Sequence, residues 1–178
     1  MSVVRGGRHR VLMLVAAVGM ALVAKSAASA SPSAVPGAPV CREDTRATTG
    51  EYLTGIACPP EGFGEMLGYT PQLEYTPAGW RYTRPAASDG GCSGPLADAG
   101  PFWDFGAQCR MHDYGFDLVR FGVGSRMDAD AQLYRDMKAS CASESRIGRP
   151  ACKTVADSAH AVLWIGGVSP GMEPAPIE

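Results

Sequence analysis

The sequence predicts an all-α fold: two antiparallel, disulfide-linked helices and a third C-terminal helix, preceded by a loop-rich N-terminal segment. Two observations support this expectation. Apolar residues recur at spacings of three and four in three stretches after residue 104, which is the pattern of one helix face. Residues 41–87 contain many Gly, Pro and Thr residues and show no persistent helical or alternating period, so we expect loops there, with at most one short helix.

Local signals set the ends of the three predicted helices. The first spans roughly residues 107–121, and two glycines end it. The second begins at residue 126 or 128 and ends at Ser140, with Ser125 as its candidate N-cap. The third begins after Thr154 and ends at Gly166-Gly167. A short connection predicts that the first two helices are antiparallel. The predicted inward faces comprise Phe105, Cys109, His112, Phe116 and Val119, then Asp130, Leu133, Met137 and Cys141, then Val155, Ala159, Val162 and Leu163.

Residues 1–30 have the pattern of a signal peptide. Basic residues precede an apolar run of 14 residues from Val11 to Ala24, and Ala28-Ser29-Ala30 supplies small residues for cleavage. The run is shorter than the roughly 20 residues that a membrane-spanning helix needs. We therefore expect a secreted protein, with an uncleaved N-terminal anchor as the alternative. The Pro-rich residues 168–178 are expected to form a flexible tail.

Removal of this segment makes the chain acidic. The sequence has 16 Lys and Arg residues against 18 Asp and Glu residues, and four of the basic residues lie in 1–30. The remaining 12 basic and 18 acidic residues give a formal net charge of −6. A nucleic-acid partner would require a basic patch, so we expect none. Strong electrostatic attraction to an anionic membrane is not expected either.

The cysteine count predicts three disulfides. All six cysteines follow residue 30: Cys41, Cys58, Cys92, Cys109, Cys141 and Cys152. An even number in an exported chain indicates disulfide pairing, and the sequence alone does not choose among the fifteen possible pairings. We expect sequential pairing, in which each disulfide closes a loop of about 12 to 18 residues and contributes on the order of 3 kcal/mol. The alternative is a zinc site with Cys109 and His112, which an oxidising compartment disfavours.

The neighbours His112 and Asp113 are the most informative residues for chemistry. Histidine is the side chain that exchanges a proton most readily near neutral pH. Asp130 lies on the predicted inward face of the next helix, and a buried carboxylate costs several kcal/mol unless it is paired. We therefore expect Asp130 to pair with His112, which would fix the tautomer of the ring and stabilise the imidazolium. The alternative is a core histidine without catalytic function.

Asp113 is expected to serve a different purpose from His112. It points about 100° away around the helix, toward a loop in which Asp89, Gly90 and Gly91 precede Cys92. Carboxylates and backbone carbonyls form the oxygen environment that calcium prefers. A calcium ion beside a general base is an arrangement suited to hydrolysis.

These motifs resemble the secreted phospholipase A2 superfamily. The similar segments are Cys109-x-x-His112-Asp113, the upstream loop Asp89-Gly-Gly-Cys92, and the downstream Asp130-x-x-Leu133-Tyr134-x-Asp136-Met137. The resemblance is closest to the small bacterial and fungal branch with two disulfides. It covers a helical domain at residues 88–167 and excludes residues 31–87, which look like an addition of unknown role.

The resemblance implies a reaction and a role for each matching residue. The reaction is calcium-dependent hydrolysis of the sn-2 ester of glycerophospholipids, which implies transient contact with a membrane or micelle surface. We expect a secreted monomer. His112 matches the general base, Asp130 the carboxylate that orients it, Asp113 and Asp89 the calcium ligands, and Gly90 a carbonyl donor. Cys92–Cys109 and Cys141–Cys152 match the two disulfides of that branch.

Three departures from the family pattern keep a second hypothesis open. Phe116 stands where the family usually has tyrosine, so any hydroxyl support from that position is lost. Two glycines separate Asp89 from Cys92, so the carbonyl ligand is either Gly90 or Gly91. The connection between the first two helices is also short. The second hypothesis is a catalytically inactive, secreted binding or structural module on the same scaffold.

Other residues are weaker candidates. Ser93 lies in a sequence with a faint similarity to a serine-protease nucleophile loop, but a small helical chain does not build the scaffold of such proteases. His160 is expected to be structural, and Asp98 or Asp104 could be a spare calcium ligand. The aromatic cluster before the first helix packs in the core or touches lipid; it comprises Phe102, Trp103 and Phe105.

Overall fold

The computed structural model describes residues 37–87, 91–92 and 99–167, with the backbone alone for residues 164–167. The predicted signal peptide and the predicted tail lie outside these residues. The same holds for Asp89, Gly90, Ser93 and Asp98. Within the part that is described, no helix is both long and apolar enough to span a membrane.

The described residues form a mixed α and β fold, and the all-α prediction is wrong. The helices are α1 Thr49–Leu53, α2 Phe63–Leu67, α3 Gly106–Arg120, α4 Arg126–Ser143 and α5 Gly148–Gly167. The strands are β1 Gln72–Thr76, β2 Gly79–Thr83, β3 Ala99–Gly100 and β4 Trp103–Asp104. β1 pairs with β2, and β3 pairs with β4, in two separate antiparallel sheets of two strands each.

The β1–β2 hairpin lies where the sequence analysis expected loops, but its sequence has local features that favour strands. Leu73 and Tyr75 alternate with polar residues in β1, and Trp80 and Tyr82 do so in β2. Aromatic and β-branched residues favour strands. The turn Thr76-Pro77-Ala78-Gly79 has Pro second and Gly fourth, where β-turns prefer them. Each strand has only five residues, so the alternation is too short to stand out within a loop-rich segment.

The N-terminal segment also contributes to the core around α3 and α4. The Thr48 side chain accepts a hydrogen bond from the Glu51 N–H, and the Glu51 side chain accepts from the Thr48 N–H, so the two form a capping box at α1. α1 packs against α3 and α4 and buries Tyr52 and Leu53. Phe63 of α2 is also buried, with its ring in edge contact with that of Tyr114.

The predicted bounds of α3 and α4 lie close to the observed ones, whereas the predicted start of α5 is wrong. Three fully buried residues of α3 are missing from its predicted inward face: Met111, Tyr114 and Leu118. The Ser125 hydroxyl accepts a hydrogen bond from the Asp128 N–H at 3.4 Å, as expected of the N-cap of α4. α5 begins at Gly148 rather than after Thr154. Pro150 is compatible with its first turn because the N–H that proline lacks has no partner there.

The three disulfides pair sequentially, as predicted: Cys41–Cys58, Cys92–Cys109 and Cys141–Cys152. The second disulfide joins the loop before β3 to α3, and the third joins α4 to α5. α3 and α4 are therefore held together by packing and not by a disulfide. Because Cys109 is in a disulfide, the zinc alternative is wrong. Three disulfides are consistent with an extracellular protein.

Candidate active site

His112 on α3 and Asp130 on α4 form a close pair. The His112 Nε2 atom lies 2.6 Å from the Asp130 Oδ1 atom, and the two side chains are 12% and 15% exposed. An ionised carboxylate can only accept hydrogen bonds, so in the neutral ring Nε2 carries the proton and Nδ1 carries the lone pair. The ring is thus held in the tautomer that can accept a proton at Nδ1.

Two small residues allow α3 and α4 to approach closely enough for this pair. A Cβ atom at Gly115 would lie only 2.8 Å from the Ala129 Cβ atom. Gly115 lies one turn after His112 on α3, and Ala129 directly precedes Asp130 on α4. The close approach at Gly115 therefore lies beside the His112–Asp130 pair. Sequence reasoning did not use this glycine, although a glycine inside a helix often marks a close contact.

Phe116 and Arg126 complete the surroundings of the pair. The Phe116 ring lies against the His112 ring with 4.6 Å between centroids. The Arg126 guanidinium carbon lies 5.1 Å from the centroid of the Phe116 ring. The Arg126 Nε atom is 3.7 Å from the Asp130 Oδ2 atom. Sequence reasoning treated Arg126 only as a possible first residue of the helix; its spacing of four from Asp130 was the available signal.

Asp113 faces the loop that precedes β3, as predicted. Its Oδ2 atom accepts a hydrogen bond from the Gly91 N–H at 3.0 Å. The Cys92–Cys109 disulfide fastens this loop to α3. Burial raises the pKa of Asp113 above its ordinary value, while His112, the Gly91 N–H and Arg84 oppose the shift. These neighbours therefore do not fully compensate the cost of burying the charged carboxylate.

Asp117, one turn after Asp113, anchors the N-terminal segment to α3. The Tyr69 hydroxyl and the Arg84 Nε atom each donate to Asp117 Oδ2 at 2.7 Å. Burial and the neighbouring carboxylate raise the pKa of Tyr69, so its hydroxyl remains a hydrogen-bond donor. Asp117 is thus already neutralised by protein groups. It is a poor candidate for a metal ligand, although it lies on the same face of α3 as Asp113.

A cavity of about 320 Å³ opens beside the pair. Its lining residues are Gly91, Cys92, Cys109, His112, Asp113, Phe116, Leu133, Met137, Ala159, Val162 and Leu163. His112 and Asp113 are the ionisable residues of this lining, and most of the others are apolar. The predicted burial of Val162 is wrong, because this residue is 54% exposed and lines the cavity. The cavity therefore places the His112 ring and the Asp113 carboxylate at a largely apolar surface.

The described residues do not by themselves form a metal site. No group of three His, Cys, Asp or Glu side chains able to hold a metal occurs in residues 37–87, 91–92 and 99–167. Asp113 fits a hard oxygen ligand that calcium would neutralise. Its Oδ2 atom has two lone pairs, so the hydrogen bond from Gly91 does not prevent coordination.

The remaining candidates have structural partners. Asp104 Oδ1 accepts a hydrogen bond from the Gly106 N–H at 3.0 Å, at the start of α3. The His160 ring stacks on the Tyr134 ring with 4.2 Å between centroids, and His160 does not line the cavity. In the aromatic cluster, Phe105 is buried in the core, whereas Phe102 is partly exposed.

Comparisons of the chain with protein-family models, with curated proteins and with solved structures found no match.

Proposed function

We propose that this protein is a secreted, calcium-dependent phospholipase A2 that hydrolyses the sn-2 ester of glycerophospholipids. The observation that carries the proposal is the hydrogen-bonded pair of His112 and Asp130 beside an apolar cavity. Asp113, a half-buried carboxylate, lines the same cavity. The signal-peptide pattern and the three disulfides support secretion.

The protein's own residues account for both proton transfers of this reaction. The His112 Nδ1 lone pair takes a proton from water, and the resulting hydroxide attacks the ester carbonyl carbon. Asp130 stabilises the imidazolium that forms. The imidazolium returns its proton to the glycerol oxygen when the ester bond breaks, so the products are a fatty acid and a lysophospholipid.

The proposed calcium ligands are Asp113 and Asp89, with a carbonyl of Gly90 or Gly91. Calcium, when bound there, would supply positive charge to polarise the ester carbonyl and to stabilise its oxyanion. The Asp113 side chain is suited to such a cation because burial leaves its charge incompletely compensated.

The apolar part of the cavity favours an acyl chain as the group that it binds. Leu133, Met137, Ala159 and Leu163 line it together with Val162. Their methyl and methylene groups provide no hydrogen bonds for a polar substrate, whereas each CH₂ group of an acyl chain gains about 0.8 kcal/mol on burial. An amphiphilic ester is therefore favoured over a small soluble one.

A positional hydrolysis assay tests the proposal directly. The substrate is phosphatidylcholine with different acyl chains at sn-1 and sn-2, presented as mixed micelles with calcium or with excess chelator. We expect release of the sn-2 fatty acid only in the presence of calcium. Release from sn-1, or full activity in chelator, would contradict the proposal.

Asp113→Asn is expected to weaken calcium binding by more than about tenfold, because it removes an anionic oxygen ligand. Asparagine can still accept the hydrogen bond from the Gly91 N–H, so the fold should be retained. Isothermal titration with calcium measures the change. Asp128→Asn removes the same charge from an exposed position and serves as the matched control. Equal affinities of Asp113→Asn and the wild-type protein would rule Asp113 out as a ligand.

Ala159→Leu is expected to separate activity from stability. The larger side chain fills apolar space in the cavity, so the free energy of unfolding should stay the same or rise by about 1 kcal/mol. Hydrolysis of long-chain phospholipid should fall by about tenfold, because the acyl chain loses that space. Urea unfolding and initial rates measure the two effects.

Ala156→Leu is the matched control for this variant. Ala156 is fully buried on the same helix and does not line the cavity. Overpacking there should lower the free energy of unfolding by about 1–3 kcal/mol. If Ala159→Leu is destabilised as much as Ala156→Leu and hydrolyses long-chain phospholipid at the wild-type rate, the cavity does not bind the acyl chain.

A secreted binding module without catalysis is the second candidate. The observation in its favour is the Phe116 ring, which contacts His112 but has no hydroxyl. Calcium binding without phospholipid turnover, measured on the same sample, would support it over the hydrolase.

A further inference from the structure

We infer that Arg126 is a positioning residue for the His112–Asp130 pair and acts through the second oxygen of Asp130. Its role in turnover rests on the proposed function, whereas its effect on the ring does not. The Asp130 Oδ1 atom lies 2.6 Å from His112 Nε2. The Asp130 Oδ2 atom lies 3.7 Å from Arg126 Nε. The carboxylate thus lies between an imidazole, which is within hydrogen-bond distance, and a guanidinium, which is at ion-pair distance.

The Phe116 ring contacts both His112 and Arg126. One side of the catalytic histidine contacts the Phe116 ring, with 4.6 Å between centroids. The Arg126 guanidinium lies 5.1 Å from the centroid of the same ring, within the range of a cation–π interaction. Arginine is suited to both contacts at once, because its planar guanidinium stacks on aromatic faces and pairs with carboxylates. The Arg126 side chain is only 14% exposed, so solvent screens these contacts weakly.

The electrostatic position of Arg126 is not explained by helix stability. Arg126 is the first residue of α4, where the helix dipole disfavours a positive charge and favours an acidic residue. The Asp130 carboxylate, one turn further along α4, attracts the positive charge of Arg126. The charge of Arg126 is thus unfavourable for the dipole of α4 but favourable for the Asp130 carboxylate. This combination indicates a role for Arg126 in the site.

The physical effect is to restrict the Asp130 carboxylate. With His112 as its one close partner, the carboxylate could rotate about its Cβ–Cγ bond and allow the imidazole to turn. A guanidinium near the second oxygen opposes that rotation by attraction between the opposite charges. Phe116 lacks a hydroxyl that could hold this network, and Arg126 occupies the space across its ring. The ring of His112 is consequently fixed with Nε2 toward Asp130.

Arg126→Met and Arg126→Lys test the inference by activity. We expect Arg126→Met to lower kcat by about tenfold, with KM and calcium affinity within about twofold of wild type. Arg126→Lys keeps the charge but not the planar guanidinium, so its kcat should be only about threefold below that of the wild type. Arg149→Met removes an exposed arginine from α5 and should leave kcat unchanged. Wild-type kcat in Arg126→Met, or no recovery in Arg126→Lys, would overturn the positioning role.

A spectroscopic measurement tests the same inference without turnover. The ¹⁵N shifts of the neutral His112 ring report which nitrogen carries the proton. We expect one Nε2–H tautomer in the wild-type protein and in Arg149→Met, and a mixture of tautomers in Arg126→Met. An unchanged tautomer ratio in a folded Arg126→Met variant would overturn the inference. If the wild type fails to hydrolyse phospholipid but the ratio shifts, the proposed function fails and the positioning role stands.

Discussion

His112→Gln is expected to reduce calcium-dependent release of the sn-2 fatty acid by about 1,000-fold. Glutamine can still donate a hydrogen bond to Asp130, so the buried carboxylate keeps a partner and the fold should be retained. It cannot take a proton from water at neutral pH, so the base is lost. Initial rates at saturating calcium measure the effect. Circular dichroism verifies the fold of the variant, and calcium titration compares its calcium affinity with that of the wild type.

His160→Gln is the matched control for this prediction. It removes the same functional group from α5, where the ring stacks on Tyr134 and does not line the cavity. Activity should stay within about twofold of wild type, as for most substitutions away from the reacting groups. A comparable loss in both variants would show that histidine replacement acts through stability. Retained activity in His112→Gln would eliminate His112 as the base.

The sequence anticipated the pair because its signals are local to two well-formed helices. α3 and α4 have periodic apolar residues, a capping serine at position 125 and glycines between them, and their observed bounds lie close to the predicted ones. Once both helices are placed and packed together, His112 and Asp130 can meet. What the sequence did not reveal was the means of approach, which depends on Gly115 and Ala129 having almost no side chain between them.

The errors have physical causes that are equally specific. The strands β1 and β2 are short and amphipathic, and their pairing depends on a turn built on Pro77. The start of α5 was predicted after Thr154, but the helix begins at Gly148 and includes Pro150 in its first turn, where proline is compatible with a helix. Arg126 has no local sequence signal for a role in the site beyond its spacing of four from Asp130. Its proximity to Asp130 and to Phe116 depends on tertiary packing.

The role of the N-terminal segment depends on contacts too distant in sequence to predict. Arg81 of β2 donates from Nε and Nη2 to the two carboxylate oxygens of Asp136 on α4, at 2.5 and 2.8 Å. Their side chains are 10% and 2% exposed. The Gln132 amide also donates to Asp136, at 2.7 Å. Residues 72–83 are thereby joined to the helix that carries Asp130, through a buried and charged contact.

Arg81→Met is therefore expected to lower the free energy of unfolding by about 3–5 kcal/mol, because it leaves the Asp136 carboxylate buried without its cation. The melting temperature should fall by roughly 10 °C for a domain of this size. Urea unfolding with the disulfides intact measures the change. Lys138→Met is the matched control. Lys138 and Asp157 form an exposed ion pair at 2.7 Å, and its loss should cost less than about 1 kcal/mol.

The double variant Arg81→Met with Asp136→Leu shows whether Arg81 and Asp136 contribute to the free energy of unfolding as a pair or independently. When both charges are removed, no uncompensated ion remains in the core, and apolar side chains of similar size can pack in their place. The double variant should therefore be more stable than Arg81→Met alone. Additive losses would mean that the two residues stabilise the fold separately. If the two residues are coupled as expected, the β1–β2 hairpin is a structural part of the helical domain. Removing the hairpin would then expose the buried Asp136 carboxylate on α4, two turns from Asp130.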